Sequence, residues 1–468
     1  MTRQLTIDPV TRIEGHAKVL LELGDDDKIV SASMQVMEFR GFEEFIKGMQ
    51  VELMPTLVTR ICGTCPHAHH LAAAKALDKV FQVTPPRPAL LLRELLNLGS
   101  MIHSHAIHFF LLAGPDIFLG IDSPAPKRNV LGLLEAAPDL AKAALRLRSI
   151  GQRIAELVGG RGTHPVTCVA GGQSAPITAE TREHLRKLTA EGLALAKVAI
   201  AEGKKALGKN NRDGMVNLRS PSLDLATVRD GKHEIYDGPL RLRRPDGSVA
   251  LEFPIDDYRK HLYEEASHSS YAKTVLARDP AGKAAPLRVG PLARVNCADT
   301  MDTPLAQAEL AQFKAKAGNP CQLTVMSHYA RLIELLHFAE KAALIVEDGD
   351  IVSPDVRAPL TGKPRSAVAH VEAPRGVLIH DYDVDANGYI KGANFLVATQ
   401  LSISSINASI RSVADLLHGK PDEVLLNGVE FAIRTYDPCL SCSTHQIGEM
   451  PIEIVITQNG RELRRASR

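Results

Sequence analysis

Two Cys-x-x-Cys pairs, Cys62/Cys65 and Cys439/Cys442, stand near opposite ends of a 468-residue chain. If both serve one site, the fold must carry its last segment back across everything between them. His69 follows the first pair and His445 the second. Were the first segment helical, Cys62, Cys65 and His69 would share a face. Thiolate and imidazole together suit Zn, Ni, Fe or an iron–sulfur cluster. Structural zinc is the plain alternative. Zinc ribbons, however, space their pairs by roughly 15–20 residues to staple a small domain, and a chain this long has a core of its own. A thioredoxin-like redox pair would sit in a βαβ setting that neither motif has. The spacing therefore predicts one buried metal centre that does redox chemistry.

Composition narrows the class. Lys+Arg and Asp+Glu nearly cancel, 55 against 54, so nothing draws the chain to nucleic acid or an anionic membrane. No run approaches the roughly 18 consecutive apolar residues of a membrane span. The opening MTRQLTIDPVTRIEGH lacks an apolar signal core, which predicts a cytoplasmic protein. Seven cysteines do not make a disulfide framework in so long a chain. Cys168, Cys297 and Cys321 stand alone and are expected in the core.

The hydropathy pattern predicts a mainly α chain with small β-sheets (α+β), a long-helix bundle forming the core. Residues 16–23 and 28–36 read as strands around a GDDD turn. Helical spacing runs through 51–81, with a Pro interruption at the first cysteine pair. Residues 89–114 are apolar around most of the circumference, a helix of about 39 Å buried on most sides. Further helices are expected over 129–160, 178–207 (capped by Thr178), 303–318, 328–348 and 404–419, the last leading to the second cysteine pair. Strands return from 367 to 399. The stretch at about 210–290 is richer in Asp, Gly and Arg and reads as an outer insertion on one domain spanning 1–468. Residues 451–463 read as a β-hairpin.

The flanks of the cysteine pairs carry a resemblance. The first pair lies in Arg60-Ile-Cys-Gly-Thr-Cys-Pro-His-Ala-His69 and the second in Asp437-Pro-Cys-Leu-Ser-Cys-Ser-Thr-His445; Asp8-Pro-Val-Thr-Arg-Ile-Glu-Gly-His16 opens the chain, and Glu372-Ala-Pro-Arg-Gly376 precedes a late strand. These motifs, in order over nearly the whole chain, resemble the large subunit of [NiFe]-hydrogenases. The resemblance implies a nickel–iron centre whose iron carries CO and two cyanides, and heterolytic cleavage of dihydrogen or its reverse. By motif position, Cys62 and Cys439 would be terminal nickel ligands, and Cys65 and Cys442 bridges to iron. Cys439 is the expected first proton acceptor and Glu14 the next carrier. Arg375 would lie over the open metal position, held by Asp116 and Asp437. Thr399 would donate to a cyanide, and His69 would hydrogen-bond a bridging sulfur. Glu43 and His445 match a second metal site, usually Mg²⁺. The bland readings are a surface Glu14 paired with Arg12, a turn aspartate at 116 and a strand-end threonine at 399. His67, His70, His103, His105 and His108 are assigned no metal.

The resemblance extends to partners. With no further cluster of cysteines to hold iron–sulfur centres, electrons would leave through an iron–sulfur small subunit. The flanks ICGTCPHAHHLA, IHSHAIHFFLLAGPD and EFRGFEEF look most like the cytoplasmic group. Within it, the F420-non-reducing branch linked to heterodisulfide reductase and ferredoxin comes first, and the branch with NAD-linked diaphorase subunits next. Family members are processed, so a maturation chaperone and an endopeptidase cutting after His445 are implied, which makes Gln446–Arg468 a cleavable extension. A permanent hairpin is the alternative. Two other classes share the fold: a hydrogen sensor, and a metal-free quinone-site subunit of a respiratory complex, which would lack these cysteines.

Overall fold

The computed structural model describes residues 3–8, 10–24, 29–36, 41–209, 215–266, 270–281, 286–440, 453–458 and 461–467. Four long helices form its centre. Helices α1 (Pro66–Val80), α2 (Arg87–Ala106), α3 (Pro138–Gly159) and α4 (Ala179–Lys209) are joined late in the chain by α5 (Ser327–Glu347), which packs against both α2 and α4. Helices α2 and α3 cross where Gly99 meets Gly151. A Cβ at Gly151 would fall 2.4 Å from the His103 nitrogen, so only glycine permits that approach. Thr178 caps α4 as expected, its hydroxyl accepting from the Thr181 amide at 3.1 Å.

Helix α2 and its continuation, Arg87–Leu112, are apolar and long enough to cross a membrane, but 78% of the relevant window is buried inside the protein. Its apolar surface is covered by neighbouring helices, which is what an all-round hydrophobic pattern means in a core. Beyond Ala106 the backbone opens into wider π-type turns at Ile107–Leu112 and Pro115–Leu119, a local departure from α geometry that often marks functional positions.

At the N-terminus, β1 (Arg3–Asp8), β2 (Ala17–Leu23) and β3 (Ile29–Val36) form antiparallel pairs. Strands β2 and β3 match the two predicted runs. The chain's last described segments, Glu453–Gln458 and Arg461–Ser467, form the predicted hairpin, the first pairing with β1 and the second becoming the edge of the sheet.

The stretch at 210–290, expected as an outer insertion, shares a hydrophobic cluster with the late sheet. Strand β4 (Leu223–Arg229) is buried at every position but its last, and its residues share a hydrophobic cluster with Val377, Ile379 and Leu401. A three-stranded antiparallel sheet follows, β5 (Ala367–Ala373), β6 (Gly376–Val384) and β7 (Ile390–Leu396). The final helical region holds two helices where one was expected, α6 (Ala398–Leu416) and α7 (Asp422–Thr435). One hydrophobic cluster runs from Ile7 to Leu440, so residues from both ends of the chain line the same core.

Candidate metal centre

The first cysteine pair is not helical. Cys62 is extended (φ −141°, ψ 129°) after a short 3₁₀ turn, and Cys65 is the residue from which α1 starts, with Pro66 at its first position. Proline there loses nothing, since the first amides of a helix have no internal partner. The Cys65 amide donates to Cys62 Sγ at 3.2 Å, and the positive end of α1 favours negative charge on both sulfurs.

Cys439 arrives from the other end of the chain. Helix α7 stops at Thr435, and Asp437 takes a left-handed conformation (φ +54°) that redirects the backbone. The returning segment then forms a parallel bridge with the N-terminal motif: Cys439 pairs with Glu14, and the Leu440 amide donates to the Glu14 carbonyl at 2.9 Å. Thr399, at the start of α6, accepts the Cys439 amide through its hydroxyl at 2.9 Å. Three sulfurs thereby converge. Cys62 Sγ stands 2.7 Å from Cys65 Sγ and 3.1 Å from Cys439 Sγ. The three form a potential metal-binding set with all ligand atoms within 4.8 Å. Cys442 and His445 lie outside the described residues.

Arg375 occupies the tip of a two-residue hairpin between β5 and β6, where Ala373 pairs with Gly376. Only glycine fits at 376: φ is +131°, and a Cβ would meet Val289 at 2.4 Å. Arg375 donates through Nε to the Asp437 carbonyl at 2.7 Å and through Nη2 to Asp437 Oδ1 at 3.0 Å. Its Nη1 is buried without a protein partner among the described residues. Burial would weaken this cation, but Asp437 and the three neighbouring sulfurs outweigh it and hold the guanidinium charged. Burial pushes the Asp437 carboxyl up, opposed by Arg375 and Arg331.

Asp116 departs from expectation. It accepts from Arg12 Nη2 at 2.5 Å, Arg434 Nη1 at 2.8 Å and, more loosely, Arg128 Nε at 3.3 Å, whereas Arg375 is held by Asp437. Its pKa is lowered despite burial, because Arg434, Arg12 and Arg128 surround it. This cluster clamps the N-terminal motif. Arg434 also donates to the carbonyl and hydroxyl of Thr11 and to Glu430, and Glu430 accepts the Thr11 amide at 2.8 Å. The turn it secures includes Arg12 at φ +54° and delivers a buried Glu14 beside Cys439.

The remaining predicted residues sit around this core. His69 and Thr399 line the small cavity bounded by Cys62, Cys65, Cys439 and Arg375. His69 Nδ1 lies 3.0 Å from His380 Nε2, and His380 in turn reaches the Tyr382 hydroxyl at 2.9 Å, a chain that fixes the ring. Beyond Cys439 the site opens into a cleft of about 360 Å³ that Glu43, Glu264 and Lys273 also line. Glu43 Oε1 accepts the Phe395 amide at 2.8 Å. Cys168, Cys297 and Cys321 are buried, as expected of core residues.

Sequence reasoning missed the arginines and acids beneath the site. Arg294 donates to both oxygens of Glu334, to Glu372 and to the carbonyls of Ala373 and Pro374, stapling the backbone that presents Arg375. A signal was present for two of them: Arg331 and Glu334 lie among apolar neighbours in the first half of α5, a setting in which charges are buried and paired.

Metal-free, the Cys439 thiol is pushed well above the ordinary range by its hydrogen bonds with Cys62 and Cys65 and by burial. A bound cation reverses that, since thiolates are the ligating form. The donors fit a soft or borderline metal, and the partnerless guanidinium nitrogen beside them suits an anionic ligand.

A sequence profile described as nickel-dependent hydrogenase matches residues 40–123 and 224–445, and one described as HoxL-like matches residues 4–39. The chain belongs to the nickel-dependent hydrogenases. It is 40% identical to a chain of the vhc F420-non-reducing hydrogenase of Methanococcus voltae over 98% of each. It is 38% identical to the beta chain of the NAD-reducing hydrogenase HoxS of Cupriavidus necator over 97% of each. The structure matches an NAD⁺-reducing [NiFe]-hydrogenase in the H2-reduced state with a TM-score of 0.88 at 34% identity, covering 94% of this chain and 99% of that one. A Ni-Fe-Se hydrogenase from D. vulgaris Hildenborough, 22% identical, shares the fold with a TM-score of 0.77 over 95% of this chain and all of that one. This hydrogenase large subunit is an oxidoreductase acting on dihydrogen, and the nickel–iron group supplies the redox chemistry when bound.

Proposed function

We propose that Cys62 and Cys439 would be the terminal ligands of a bound nickel, that Cys65 and Cys442 would serve nickel and iron together, and that Glu14 is the next proton carrier after Cys439. The observation that carries this reading is the parallel bridge between Glu14 and Cys439, which joins the backbone of a buried glutamate to that of a metal-binding cysteine from the opposite end of the chain. A carboxyl held away from water and next to a proton-accepting sulfur can relay protons at neutral pH. Arg375 orients charge over the cavity through its spare Nη1, since a guanidinium keeps its proton while it polarises. Thr399 accepts from Cys439 and retains a hydroxyl proton to donate inward. Glu43, with His445, would hold Mg²⁺, and the hard carboxylate oxygen suits that ion.

The reading extends to the surroundings. Electrons leave to an iron–sulfur small subunit in a cytoplasmic complex, linked to heterodisulfide reductase and ferredoxin or to an NAD-reducing diaphorase. Support comes from relatives named as F420-non-reducing and NAD-reducing hydrogenases. Maturation ends with a chaperone's release and cleavage after His445, which would strip the C-terminal hairpin from β1.

Infrared spectroscopy of the matured protein, with metal analysis, tests the centre: CO and cyanide stretches with nickel and iron are expected. Zinc alone at full occupancy would end the reading. Glu14→Gln tests the relay. Metals and bands should stay while hydrogen–deuterium exchange is lost; normal exchange in that variant removes Glu14 from the path.

A further inference from the structure

Among the fully buried arginines, Arg331 on α5 is the least well partnered. Arg294 makes five hydrogen bonds to Glu334, Glu372 and two carbonyls. Arg434 makes four, to Thr11, Asp116 and Glu430. Arg331 makes one, from Nη1 to Asp437 Oδ2 at 3.2 Å, and its Nε and Nη2 are buried with no partner among the described residues. A cation taken out of water with so little in return is a poor staple. Burial pulls it down to about 10, with Asp437 the leading opposing influence.

What Arg331 does hold is specific. Asp437 divides its carboxylate between two guanidinium groups, Oδ1 to Arg375 and Oδ2 to Arg331. With both oxygens engaged, the carboxylate plane cannot turn. Arg375, which lines the sulfur-lined cavity, is then held at three points, by that oxygen, by the Asp437 carbonyl and by its own hairpin, with Nη1 left without a partner among the described residues. Nearby charge supports the division: Glu334, one turn along α5, lies close enough to attract Arg331 but hydrogen-bonds Arg294, His105 and His233 instead.

We propose that Arg331 is a positioning residue of the hydrogenase reaction: by fixing the second oxygen of Asp437, it aims the Arg375 guanidinium at the metal cavity. The inference rests on the nickel–iron reading of the site. Two arginines and one aspartate leave a net positive charge beside the sulfurs, the sign that suits thiolates and anionic ligands.

The test uses matured enzyme with its small partner, and the wild type must first show nickel, iron and the CO and cyanide bands. If it does not, the nickel–iron reading of the site fails and the inference falls with it; the variants below test the inference alone. Arg331→Met and Arg331→Lys are then compared by infrared spectra, kcat, KM for dihydrogen and melting temperature. The expected result is normal metal content, displaced or broadened cyanide bands, and kcat down roughly 10–100-fold with KM within about twofold, as sub-ångström misplacement of an orienting group produces. Arg331→Lys keeps charge but loses the planar fork, so it should recover only part of kcat. Wild-type bands and kcat in either loaded variant, even at a lowered melting temperature, would assign Arg331 to stability alone and overturn the proposal. Should Arg331→Met fail to load, the Lys variant decides. A crystal structure of its metal-free chain should show the Asp437 carboxylate rotated and its Arg375 contact through Oδ1 broken; an unmoved carboxylate would also refute it.

Discussion

The two arms that bring sulfur to the centre are built differently. Cys62 and Cys65 belong to one continuous piece of local structure, a 3₁₀ turn running into the start of α1. Their separation follows from nearby backbone and Pro66. Cys439 has no element of its own. It hangs on a hydroxyl from α6, a backbone bond to the N-terminal motif and the Asp437 turn. One arm is preformed, and the other is docked. Damage to the first should therefore act locally, whereas damage to distant residues should reach the second.

The largest effect should come from the ligands themselves. Cys62→Ala and Cys439→Ala are each expected to abolish nickel by metal analysis, and either variant retaining full nickel would break the symmetry of the two arms at the metal. Next is the clamp on the N-terminal motif. Asp116→Asn leaves Arg12, Arg128 and Arg434 facing a neutral group, and losing one partner of a buried ion pair costs roughly 3–5 kcal/mol. Urea unfolding should show that loss, and nickel loading should fall with it although Asp116 touches no ligand. Unchanged loading would mean that the docked arm does not depend on this clamp.

Thr399→Ala should be milder. It leaves the Cys439 amide unsatisfied, at about 1–3 kcal/mol for a buried group, and Thr399→Ser should restore most of it. Thr64→Ala removes a hydroxyl 3.3 Å from Cys62 Sγ and 3.4 Å from Cys439 Sγ but leaves no backbone amide unsatisfied, and should cost less. Equal losses would erase the distinction between the arms.

The smallest effect is in pH dependence, and its sign differs between two aspartates. Asp116 has a depressed pKa from its arginines, so its contribution to stability is present above the unfolded carboxylate value of about 3.9 and is lost as pH falls through the lower folded value. Wild type and Asp116→Asn should converge in urea midpoint only at that acid end. Asp437, raised by burial, acts oppositely, costing stability as pH climbs from about 3.9 through its folded value. Asp437→Asn should flatten that decline, and a steeper one would contradict the assignment.

The same contrast explains what the sequence made legible. The first arm was readable because its ligands and helix start lie within ten residues, although the cysteines precede the helix where helical spacing had been expected. Glu14, Arg375 and Asp437 were found through short motifs, and the fold class through long apolar helices. Arg434, Glu430, Arg294 and Arg331 were not found. Glu430 and Arg434 stand four apart on α7, a spacing that ordinarily means a solvated ion pair, and only for Arg331 did the apolar residues around it offer a signal of burial. Asp116 was assigned to the wrong arginine for a related reason: a motif gives identity, but which of several cations a carboxylate meets depends on the packing of distant helices. In the stretch at 210–290, composition did not reveal that β4 is buried.

The hydrogen bond from Leu440 to the Glu14 carbonyl has a consequence for biosynthesis. It closes a loop of more than four hundred residues, so the pocket does not exist until the ribosome has made Leu440. At roughly 5–20 residues per second, the first cysteine pair waits on the order of a minute or less for its counterpart, with hydrophobic helices already collapsing around it. Closure of so long a loop is among the slower events of folding. That interval gives the cell a period in which the half-built pocket is accessible, and it ends when the last arm comes home.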